Sequence, residues 1–105
     1  MHSVSGLRSL VAAVIAVAAL PASANEQLEY GQHLSGECTT CHRDGANNTI
    51  PPIVGWPVDS FIAIMNAYKK GERDNKAMVS VAKSLDDEQI AALAAYFATI
   101  KPKDQ

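Results

Sequence analysis

Three stretches of the chain repeat their apolar residues at helical spacing, and the segments between them do not. From Glu26 to about Glu37, Leu28, Gly31 and Leu34 recur every three residues, as one face of a short helix does. A glycine inside a helix is unfavourable by roughly 1 kcal/mol, so Gly31 is expected where another helix crosses closely. Phe61, Ile64, Met65 and Tyr68 form a second stripe at i, i+3, i+4 and i+7. Pro57 is expected at its first helical position and Gly71 at its C-terminal cap. Ile90, Leu93, Ala94 and Phe97 form the third stripe, with Asp86 and Gln89 as a capping box at its start and Lys101-Pro102 at its end. Asp87 and Glu88 complement the positive start of that helix, which accounts for the acidic cluster without a metal.

The remaining segments are of other kinds. Leu10 to Leu20 is eleven apolar residues, preceded by Arg8 and followed by Pro21-Ala22-Ser23-Ala24. That order is a secretory signal peptide, with cleavage expected after Ala24. Eleven residues fall short of the roughly 20 that span a bilayer, so no stable membrane insertion is expected. The expected organisation is a leader over 1–24 and one domain over 25–105, periplasmic once exported. Arg43 to Thr49 is rich in turn formers and is expected to be a loop. The prolines of Ile50-Pro51-Pro52-Ile53-Val54-Gly55 forbid a regular helix and impose an extended path. Glu72 to Val81 shows no cap, is polar as far as Lys76 and then turns apolar. It is expected to be a loop carrying Met78.

Charge and size narrow the field. The chain has 9 basic and 11 acidic residues; removal of Arg8 with the leader leaves 8 against 11, or −3, over 81 residues. With no basic stripe interleaved with aromatics, nucleic-acid binding is excluded. A domain of this size buries little apolar surface and needs a staple.

Cys38-Thr39-Thr40-Cys41-His42 provides one. C-x-x-C-H is the attachment signature of c-type haem: both thiols add across vinyl groups as thioethers, and the adjacent imidazole coordinates the iron. A redox dithiol would want a βαβ setting, and a zinc site would need further cysteines or histidines at ligand spacing. Two further features bear on such a group. A proline carbonyl in the 51–52 pair is free of any helix and is either an acceptor for the Nδ1 proton of His42 or part of a plain rigid connector. Met78, outside the helical stripes, is either a gap-filler or a thioether ligand opposite His42; ligation is favoured because Met65 belongs to a helix face. Trp56 is expected as a wall of the pocket, and His33 either as a surface histidine or as one that backs the site without binding the iron.

These residues resemble the class I c-type cytochromes in four places: Gly31 and Leu34 before the haem motif, Pro51-Pro52-Ile53-Val54-Gly55, Met78, and Leu85 with Leu93-Ala94-Ala95-Tyr96-Phe97. The resemblance implies an all-α fold of three to four helices around one covalent haem c. The first and last helices would cross, Gly31 and Leu34 meeting Leu93 and Tyr96 or Phe97. It also implies that the Pro51 carbonyl holds His42, that Ile53 lines the haem, and that Met78 is the sixth ligand. Residues 65–73 and 82–90, on either side of Met78, further resemble small periplasmic cytochromes of sulfur oxidisers, among them the haem subunit of flavocytochrome c sulfide dehydrogenase. The segment before Met78 lacks the proline many such loops carry. The resemblance implies an electron carrier, not itself an enzyme, working between a redox donor and an acceptor; in the sulfide dehydrogenase alternative the donor is a flavoprotein chain. An open-site sensor or peroxidase is the third possibility, and Met78 argues against it. Lys69, Lys70, Arg73 and Lys76 cluster near Met78, either as a docking patch or as a solvated helix end.

Overall fold

In the computed structural model, residues 23–43 and 50–102 are described. Residues 1–22, where the leader is expected, residues 44–49, where a loop is expected, and the last three residues lie outside them. The described chain is all-helical: α1 (Ala24–Leu34), α2 (Gly36–Thr39), α3 (Val58–Lys69), α4 (Lys76–Lys83) and α5 (Asp87–Ala98).

α1 begins in a capping box. Ser23 Oγ accepts from the Glu26 N–H at 3.1 Å, and the Glu26 carboxylate accepts from the Ser23 N–H at 2.8 Å. The S-x-x-E signal lies across the expected leader boundary. The helix does not run to Glu37 as its periodicity suggests. It stops at Leu34, where Ser35 is the C-cap and its hydroxyl donates to the Gln32 carbonyl at 2.6 Å, and the chain restarts as the four-residue α2.

Pro57 lies just outside α3 as its N-cap, so Val58 takes the first helical position. At the other end Gly71, at φ +77°, donates to the Tyr68 carbonyl, and the Glu72 N–H donates to that of Ala67, the two bonds of a Schellman cap. On its inner face Phe61 and Met65 are buried and Tyr68 packs on the core; Ile62, rather than Ile64, is the fourth residue against it.

The expected loop around Met78 is corrected by α4. Asn75 adopts an extended conformation at φ −170° and its side chain caps the helix, placing Met78 in the first turn. Met78, Ala82 and Leu85 face the core at i, i+4 and i+7, a periodicity present in the sequence but hidden by the polar residues before it.

α5 has the expected capping box, with Gln89 N–H to Asp86 Oδ1 at 2.8 Å and Asp86 N–H to Gln89 Oε1 at 2.9 Å. Ile90, Leu93, Ala94 and Phe97 are buried, as is Ala92. The helix ends at Ala98, before Lys101-Pro102.

α1 crosses α5 at Gly31. A Cβ on Gly31 would overlap the Ala92 carbonyl oxygen and lie 2.7 Å from Tyr96 Cβ. Tyr96 is thus at the crossing, and the residue whose backbone meets Gly31 is Ala92. α3 packs on both α4 and α5, and Phe61 stacks on Phe97 with ring centroids 5.9 Å apart. Ile53, Phe61, Met65, Ala82, Ile90, Leu93, Ala94 and Phe97 form one core. Among the described residues no helix is long and apolar enough to cross a membrane.

Candidate functional site

The haem-motif residues occupy a turn at the end of α2. The Cys38 carbonyl accepts from the N–H groups of both Cys41, at 3.2 Å, and His42, at 2.8 Å, which folds the motif back on itself. The intervening threonines fasten that turn to the helix: Thr40 Oγ1 lies 3.0 Å from the Glu37 carbonyl and 3.2 Å from that of Gly36, and Thr39 Oγ1 3.4 Å from the latter. Cys38 is half-buried against the core and Cys41 is exposed. Burial, reinforced by the neighbouring Glu37 charge, pushes the Cys38 thiol up to about 11. A redox dithiol needs the opposite shift, toward thiolate.

The half-buried His42 ring is held from the side. Its Nδ1 lies 2.7 Å from the Pro51 carbonyl oxygen. A carbonyl only accepts, so Nδ1 carries the proton and Nε2 keeps the lone pair that can bind a metal. From Pro51 the chain passes without regular structure through Ile53, which is buried in the core, into a turn at Val54 and Gly55. Gly55 has φ +78°, and its N–H donates to the Phe97 carbonyl at 2.9 Å. One short strut therefore joins the His42 ring to the end of α5. A Cβ on Gly55 would lie 2.7 Å from the Pro102 ring as well as forcing a left-handed residue. Gly55→Ala is expected to lower stability by about 2 kcal/mol, read as a fall in the urea midpoint at unchanged m-value.

Trp56 follows the strut and packs edge-on against Phe61, 6.4 Å between centroids. Trp56, Cys38 and Met78 all lie against the same core. Met78 is half-buried in the first turn of α4, whereas Met65 is buried in the α3 stripe. His33 is exposed on α1.

The basic cluster is divided. Lys69 Nζ donates to the Leu85 carbonyl, and the Arg73 guanidinium lies 5.0 Å over the Tyr68 ring. Both tie the Met78-bearing segment to α3. Lys70 and Lys76 remain exposed on the cluster. No local pattern in the chain signals these tethers, because each joins residues brought together only by the fold or by the α3 cap.

Two thiols on one turn, an imidazole fixed with Nε2 as its lone-pair nitrogen, and a neighbouring apolar core are the donor set and setting of a c-type cytochrome. Residues 27–97 match the family described as cytochrome C oxidase, cbb3-type, subunit III, and the chain belongs to that family of cytochrome c domains. It is also similar to the thiosulfate dehydrogenase electron acceptor of Stutzerimonas stutzeri (strain A1501), at 31% identity over 74 residues, 65% of this chain and 34% of that protein. The chain thus spans about a third of that relative's length. The residues present fit haem c, which is bound covalently through cysteine, and the work of such a domain is electron transfer.

Proposed function

We propose that the protein is a periplasmic single-haem carrier that takes one electron at a time from a dehydrogenase acting on a reduced sulfur compound, and that His42 and Met78 would hold the iron. The observation that carries the reading is the His42 Nδ1 to Pro51 carbonyl contact, which leaves Nε2 with a lone pair beside two cysteines. Bound haem supplies the one-electron couple. The chain does the rest. Cys38 and Cys41 would hold the haem covalently through thioether bonds. The Pro51 carbonyl orients the His42 ring. Met78 contributes a soft sulfur that favours the ferrous state. Ile53 and Trp56 keep the pocket dry.

The sulfur-compound donor is supported by the name of the Stutzerimonas relative. Export is supported by the apolar run at 10–20 and the small residues before Asn25. Cleavage after Ala24 leaves a domain over 25–105 and removes the Ser23 cap, so that Asn25, also a good capping residue, becomes the new helix start.

The sulfide dehydrogenase alternative, in which a flavoprotein chain is the donor, rests on the likeness of residues 65–73 and 82–90. One measurement separates the two. Purified from its source, the protein is expected to elute as a small haem-only peak whose mass starts at Asn25 and includes one haem. Co-elution of haem with flavin in a larger peak would instead make it the electron-accepting subunit of an enzyme.

A further inference from the structure

Among the side chains that the haem motif and its strut do not use, one is aimed directly at the proposed sixth ligand. Asn75 stands three residues before Met78, in an extended conformation that no helical residue adopts, and its Oδ1 accepts from the Met78 N–H at 3.0 Å. The bond is to the backbone of the ligand-bearing residue itself. Met78 lies at the third position of an eight-residue helix, so its backbone amide is among those that no intrahelical carbonyl satisfies. Without a cap, this is the turn that frays, and fraying moves the Cα from which the thioether extends.

The rest of the segment is already tethered. Arg73 over Tyr68 holds the chain before α4, and Lys69 on the Leu85 carbonyl holds it after. The Glu72 N–H to Ala67 carbonyl bond, at 2.8 Å, fixes the exit from α3. Between these anchors, and beside the packing of Met78 on the core, the first turn of α4 is held among the described residues by the Asn75 side-chain hydrogen bond.

We propose that Asn75 is the positioning residue for Met78: its side chain holds the first turn of α4 closed and so keeps the thioether in place. The inference rests on Met78 being the sixth ligand. It also accounts for the missing proline before Met78, since a cap does by hydrogen bonding what a ring would do by restricting φ.

The test compares three variants of the haem-bearing protein. Asn75→Ala removes the cap at Met78, Asp86→Ala removes a similar cap at the remote start of α5, and Asn75→Asp keeps an acceptor at the same place. Both alanine variants lose comparable global stability. Only Asn75→Ala is expected to speed carbon monoxide binding to the reduced protein, by about fivefold, as expected for loss of one N-cap, and to weaken the sulfur-to-iron charge-transfer absorption. Asn75→Asp is expected to restore both. Equal carbon monoxide rates in Asn75→Ala and Asp86→Ala, with Met78→Ala open to the gas, would overturn the role of Asn75 and leave Met78 as ligand. An unchanged absorption spectrum in Met78→Ala would remove the ligand assignment and this inference with it.

Discussion

Replacing Gly31 with alanine is expected to lower stability by about 3 kcal/mol, although helix propensity alone favours the change by about 1 kcal/mol. The sign is decided by backbone. The added Cβ meets the Ala92 carbonyl and, at 2.7 Å, Tyr96 Cβ. Neither is the end of a flexible side chain, so α1 and α5 must separate along the crossing that buries Ala92, Leu93 and Phe97. In a domain of this size a loss of 3 kcal/mol corresponds to a fall in Tm of about 15 °C. Thermal melting of the haem-bearing protein followed by far-ultraviolet circular dichroism checks it. An unchanged or raised Tm would mean that the two helices do not approach as described.

Met78→Ala is expected to change the chemistry more than the fold. Truncating a half-buried methionine costs about 2 kcal/mol. Loss of the thioether, however, is expected to lower the reduction potential by on the order of 0.2 V, a fraction of the roughly 0.8 V that axial ligands span, because the soft sulfur favours the ferrous state. The reduced variant should also bind carbon monoxide rapidly where the parent does not. Potentiometry and gas titration read the two effects independently. Rapid binding by the parent protein would sink His/Met ligation outright.

Much of the fold is legible in the chain because the signals are local. The stripe of α5 and the Asp86 and Gln89 capping box each lie within a few residues, and the α-helical period exposes them. Gly31 announces a close crossing simply by being a glycine where helix propensity opposes one. Its partner is less plain: Leu93 is the larger residue, but a close approach needs a small one, and Ala92, fully buried, fits that need better. α4 escapes a linear reading because its polar first turn has the composition of a loop, and because a single asparagine is a weak start signal until it is seen capping Met78. Ser23 and Glu26 escape it too, since the expected leader boundary falls between them. The tethers from Lys69 and Arg73 lie beyond any local pattern, because both residues read equally well as solvated charge.

The strut from Pro51 to Gly55 sets how the protein melts. His42 receives its orienting bond at one end of the strut, and the other end is fixed by the Phe97 carbonyl. Phe97 belongs to α5, which is docked in turn against α1 and α3. The immediate environment of His42 is therefore closed by contacts far apart in the chain, and it cannot be completed while the terminal helices are apart. Loss of the ligand geometry and loss of helix should consequently coincide as one cooperative transition, with absorbance near the haem and backbone dichroism tracing the same curve.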